Sequence, residues 1–86
     1  MRVSIRPNDS GYSTQRHFRA NGYRALVRLN GELQTTAVTA DNEAGVIVRY
    51  LKDASGELVY DRERECLVDE VVHGRVEIEV IEESVL

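Results

Sequence analysis

The chain has 86 residues, a net charge of −4, one Cys, one Pro and no Trp. That length fits one domain, which buries only roughly 60–65% of the surface its unfolded form exposes, so the core is thin. One Cys excludes an intrachain disulfide framework and a Cys-rich zinc site, and no apolar run approaches the roughly 20 residues of a membrane-spanning helix. The opening Met1-Arg2-Val3-Ser4-Ile5-Arg6-Pro7 carries charge but no apolar run, so no signal peptide is expected and a soluble intracellular protein is the default.

Charge divides along the chain. Residues 1–30 hold Arg2, Arg6, Arg16, Arg19, Arg24 and Arg28 against Asp9 alone, a local charge of +5. Residues 31–86 hold five basic groups against fourteen acids, a local charge of −9. Ten of the eleven basic residues are Arg, a side chain suited to bidentate pairing with carboxylates at interfaces.

Residues 6–22 are rich in Gly, Asn and Ser, with Tyr12, Phe18 and Ala20 as the apolar punctuation. Neither the helical nor the strand period is visible there. We therefore expect residues 1–22 to form a basic, extended N-terminal arm and residues 23–86 to form the β-domain. Removing the arm is expected to leave that domain folded.

From Tyr23 the period is two. Tyr23, Ala25, Val27 and Leu29 share one face and Arg24 and Arg28 the other, which predicts a half-buried strand. Asn30-Gly31 then supplies the positive φ values of a two-residue type I′ hairpin, with Glu32 to about Thr39 as the return strand. Asp41–Gly45 is a polar turn. Val46–Lys52 is the richest β-branched run and reads as a central strand. Asp53-Ala54-Ser55-Gly56 makes the next turn, Glu57–Tyr60 returns, and Asp61–Glu65 alternates in sign as a solvated loop. Cys66–Val72 fits a short helix by spacing, but its paired valines and short length favour a strand. After His73-Gly74, the run Arg75–Val80 alternates strongly, with Val76, Ile78 and Val80 inward. Glu77 and Glu79 face outward, and charges there discourage unwanted edge pairing. The sum is an all-β protein: a small antiparallel β-sandwich or barrel of five or six strands carrying an extended N-terminal arm.

The chemistry is sparse. His17, His73 and Cys66 match no metal-ligand spacing, and a surface His and a buried Cys account for them. Glu77 and Glu79 read as a solvated strand face rather than an acid–base pair. Asp41, Glu43 and Asp53 lack the alternating oxygen ligands of a calcium loop. The six glycines are dispersed and form no phosphate-binding loop. No catalytic residue, metal or cofactor is expected, and the chain is not read as an enzyme. The residues that stand out are Tyr12, Arg16, Phe18, Arg19 and Arg24, where aromatic and basic side chains interleave. They are the expected partner-binding set, with Tyr12 and Phe18 filling apolar pockets and the arginines meeting carboxylates. A body at −9 repels phosphate, so nucleic acid is not the expected partner.

One resemblance spans about residues 23–80. Val27–Glu32, Thr39-Ala40-Asp41-Asn42-Glu43-Ala44-Gly45, Asp53-Ala54-Ser55-Gly56 and His73-Gly74-Arg75-Val76-Glu77-Ile78 together resemble small uncharacterised proteins of the head-morphogenesis regions of tailed bacteriophages and prophages. These are turn-and-strand motifs and carry no catalytic residues. The resemblance implies a virion structural protein of the decoration, cement or head-connector type. It would be assembled in the host bacterial cytoplasm, bind major capsid or connector subunits, and be repeated in a lattice or ring. An alternative from another class is a phage-encoded inhibitor whose acidic body mimics nucleic acid and binds a host defence or transcription protein.

Overall fold

The computed structural model describes residues 1–83. It is mostly β, with antiparallel pairing throughout and one helix, and its sheets do not close into a barrel among the described residues. Strands β1 (Arg2–Ser4), β4 (Ala37–Asp41), β5 (Val46–Tyr50) and β8 (Asp69–His73) form a four-stranded sheet in the order β1-β4-β5-β8. Strands β2 (Tyr23–Leu29), β3 (Glu32–Leu33) and β9 (Val76–Glu82) form a second sheet in the order β3-β2-β9. A small hairpin of β6 (Tyr60–Asp61) and β7 (Cys66–Leu67) stands apart. Helix α1 (Tyr12–Ala20) packs on β1 and β2 and so touches both larger sheets.

One apolar cluster draws on both sheets. Val3, Ala40 and Ile47 come from the first, and Val27, Leu29 and Val76 from the second. The strand register explains the set. Val3, Ala40, Ile47 and Val72 lie in one row across the four strands. Val27 faces Ile78 and Leu29 faces Val76 across β2 and β9. Period-two alternation puts all of these on the inward faces. On the other face of the first sheet, the Ser4 and Thr39 hydroxyls are buried and hydrogen-bond to each other at 2.7 Å. The Ser4 Oγ also accepts the Arg6 N–H at 3.1 Å, so neither buried hydroxyl is left without a partner.

The turns form as their residues require. Asn30 has φ 51° and Gly31 φ 87°, the positive pair of the expected hairpin. Asp41 Oδ1 accepts the Glu43 and Ala44 N–H groups at 3.0 and 2.9 Å, and Asp53 Oδ1 accepts those of Ser55 and Glu57 at 2.9 and 3.0 Å. These carboxylates are turn formers. Three turns then meet at one end of the molecule. The Gly74 N–H donates to the Gly45 carbonyl at 3.0 Å, and the Arg75 N–H donates to Asn30 Oδ1 at 2.9 Å. A Cβ on Gly45 would lie 2.8 Å from the Gly74 carbonyl oxygen, so this junction admits no side chain there.

Two expectations are corrected. Residues 1–22 are not an extended arm. Residues 2–4 are the edge strand of the larger sheet, with Val3 in the core, and residues 12–20 are helical. Gly11 makes this possible, because it is buried against the backbone of Arg2 and Val3, where a Cβ would come within 2.9 Å. The return strand over 32–39 is also broken. Gln34 still bonds the Val27 carbonyl at 2.8 Å, but by Thr36 the chain has joined Tyr50. The segment thus leaves one sheet after β3 and enters the other as β4. Residues 66–72 are extended, as β7 and part of β8, rather than helical.

Candidate interaction surface

The five residues expected to bind a partner do not converge. Phe18 is half-buried and packs against the core cluster. Thr14 and Gln15 share its side of α1 by helical spacing and are half-buried too. Tyr12 opens the helix, also half-buried. Arg16 and Arg19 are exposed, at positions about 160° and 100° around the helix from Phe18. Arg24 is exposed on β2, on the face that bears Arg28 and not on the inward face of Ala25 and Val27. One aromatic therefore serves the fold, and the arginines point to two different sides.

Half of the arginines of residues 1–30 find carboxylates within the chain. Arg2 grips Asp9 with both prongs, Nε to Oδ1 and Nη2 to Oδ2, each at 2.9 Å, and reaches Asp41 at 3.5 Å. This pairing, with the Gly11 N–H at 2.8 Å, holds the Asp9 carboxyl below its usual range. The turn N–H of Ala44, then that of Glu43 and the Arg2 guanidinium, lower Asp41 likewise. Arg6 pairs with Asp69, Arg28 with Glu79 at 2.8 Å, and Arg49 with Glu70 at 2.8 Å. The basic N-terminal segment thus meets the acidic body of its own chain. Among the described residues, Arg16, Arg19 and Arg24 stand in no ion pair, while Arg2, Arg6 and Arg28 do.

A feature not legible in the sequence lies at the C-terminal end of α1. His17, Phe18, Asn21, Tyr23 and Val80 line an open hollow of about 320 Å³. Tyr23 is 41% exposed and Val80 37%. Both sit on the inward face, but α1 does not extend over them. The period-two pattern marked them as inward and gave no sign that their cover ends at Asn21. A second hollow, between β3, β5 and β8, is polar. Arg49 crosses it to Glu70 and, at 2.9 Å, to Gln34 Oε1.

The other reactive side chains are scattered. Cys66 is exposed on β7 and not in the core as expected, because the β6–β7 hairpin stands outside both larger sheets. His17 lies on α1 and His73 at the end of β8. Glu77 and Glu79 are exposed and paired with Arg75 and Arg28. No group of three His, Cys, Asp or Glu side chains suited to a metal occurs among the described residues. No helix among them is long and apolar enough to cross a membrane.

No family model, curated protein or solved structure matches this chain.

Proposed function

We propose that this chain is a non-enzymatic, protein-binding β-domain. It is a small sandwich that serves as a structural component of a bacteriophage particle and attaches to neighbouring capsid or connector subunits. The observation that carries the reading is the hollow beside α1, where Tyr23 and Val80 leave apolar surface uncovered next to Phe18. An aromatic in a concave apolar setting is the kind of group that anchors an interface. The particle half of the reading leans on the resemblance over residues 23–80, whose motifs form turns in this fold. Arg16, Arg19 and Arg24 supply charge around the domain for acidic neighbours.

The nucleic-acid-mimic alternative asks for uncommitted carboxylates. Asp9, Asp41, Asp69, Glu70 and Glu79 are held by arginines of the same chain, which takes these five out of such a surface. Mass spectrometry of purified particles is the direct test. About six or twelve copies per particle mean a ring, and on the order of a hundred mean the shell. Particles free of the protein overturn the virion role. Replacing Tyr23 by Ala should leave the fold intact and sharply reduce incorporation, and normal incorporation would overturn the hollow as the anchor.

A further inference from the structure

Among the described residues two strands of five residues or more, β8 and β9, have an edge without a partner, and β9 is the longer. β9 lies at the end of its sheet and pairs with β2 alone. The parity of that pairing is fixed at both ends. The Arg75 carbonyl accepts the Asn30 N–H and the Glu83 N–H donates to the Gly22 carbonyl, each at 2.8 Å. The odd-numbered residues of β9 therefore turn their backbone groups toward β2. The even-numbered Val76, Ile78, Val80 and Glu82 turn theirs outward. No backbone hydrogen bond is made by these four groups among the described residues.

We infer that β9 is a docking edge that accepts an extended segment of another protein, one alternating apolar and basic side chains, as a fourth strand of the β3-β2-β9 sheet. An added strand would run about 4.8 Å from β9. Its inward side chains would lie beside Ile78 and Val80 and continue the uncovered apolar surface toward the hollow. Its outward side chains would lie opposite Glu77, Glu79 and Ile81, on the face where Glu79 already takes Arg28 from β2. Charge chooses the occupant. β9 carries Glu77, Glu79 and Glu82 and no basic residue. Arg75 and Arg28 pair with Glu77 and Glu79, Glu82 stands in no ion pair among the described residues, and the edge keeps a net negative charge. Antiparallel pairing with a second copy would set these carboxylates against each other, whereas a basic strand is attracted. β2 is such a strand in this molecule, with Arg24 and Arg28 alternating with apolar residues.

The inference rests on the protein-binding reading. The probe is a capped peptide, Lys-Val-Lys-Val-Lys-Val-Lys, titrated into the full chain at low salt. Its controls are the same peptide with Glu for Lys, and one N-methylated on the amides that would face β9. The Lys peptide should bind at least about tenfold more tightly than the Glu peptide. N-methylation should abolish binding, and the amides of Ile78, Val80 and Glu82 should gain protection from hydrogen exchange. The double variant E77K/E79K should reverse the order of the Lys and Glu peptides. Val80→Pro removes an outward N–H and no bond to β2, so it should abolish binding with β2 still paired to β9. Equal binding of the two peptides, indifference to N-methylation, or protection elsewhere would overturn the inference. Particles that contain a chain deaf to the peptide overturn strand addition alone. A chain that binds the peptide but is missing from particles overturns the virion reading alone.

Discussion

Two end strands, β1 of the larger sheet and β9 of the smaller, protect their edges in opposite ways. β1 is three residues long and carries Val3, only 4% exposed. Its outer edge is sealed by the chain itself. The Ser4 N–H, turned away from β4, donates to the Gly11 carbonyl at 3.2 Å, and Gly11 lies against the Arg2–Val3 backbone. β9 is seven residues long, with an outer edge that no strand of the described chain pairs with. It is guarded by charge, through Glu77, Glu79 and Glu82. A covered edge admits no partner. A charged one admits partners of one sign, so the same liability is removed at β1 and made selective at β9.

The comparison is broken most severely by removing the cover. Deleting residues 1–22 takes away β1, Gly11 and α1 together. Burial of Val3 alone contributes about 1.5–3 kcal/mol, in a chain whose whole stability is about 4–13 kcal/mol at ordinary values per residue. β4 would become a bare edge. We expect the truncated chain to lose its cooperative thermal transition by circular dichroism. A truncation that melts like the full chain would show that residues 1–22 decorate the domain rather than complete it.

A smaller change tests the seal itself. In Gly11→Ala the new methyl would lie 2.9 Å from the Arg2 carbonyl carbon and oxygen and from the Val3 carbonyl carbon. Backbone atoms cannot swing aside as a side chain would, so the strand must shift. The expected loss is about 2 kcal/mol, or about 8–16 °C in Tm for a domain of this size. The same substitution at Gly22 has open space around it, and its cost is confined to the strain of φ 79°. Comparing the two melting curves separates close packing from backbone conformation.

What could be read in the sequence divides along the same line. β2, the Asn30-Gly31 turn, β5 and β9 each carry their pattern locally, as alternating apolar residues or a turn pair, and each forms where it was expected. Residues 1–22 carry no such pattern, because their order comes from distant contacts. Gly11 meets Arg2 and Val3, Asp9 meets Arg2, and Arg6 meets Asp69. A nine-residue helix with Tyr12, Phe18 and Ala20 as its apolar residues is too short to be stable alone and is held by packing. The candidate site suffered from the same gap. The charges of Arg16, Arg19 and Arg24 were legible, but the direction of each depends on helix phase or strand parity. Phe18 was legible as an apolar anchor, and its partner proved to be the chain's own core. The hollow beside Tyr23 and Val80 required knowing where α1 ends.

The mildest test of the sealed edge uses pH. The paired Asp9 and the turn-bonded Asp41 both have carboxyls below their usual range in the folded chain. The native state then binds fewer protons than the unfolded state across that window, so stability rises with pH there. Their contribution is fully present above the unfolded Asp value of about 3.9 and is lost as the pH falls through the lower folded values. Asp9→Asn removes one titrating group and the charge that Arg2 grips, while keeping an oxygen for the Gly11 N–H. The variant should be less stable at neutral pH, and its Tm should fall less steeply than that of the parent chain as the pH drops below about 4. β9 faces no such change, since the Asp9–Arg2–Asp41 group lies at the β1 edge. Amide exchange of Ile78, Val80 and Glu82 should therefore match in variant and parent at neutral pH, under conditions where both are fully folded. Parallel acid limbs in the two proteins would show that the Arg2–Asp9 fork contributes nothing to holding the cover on β1.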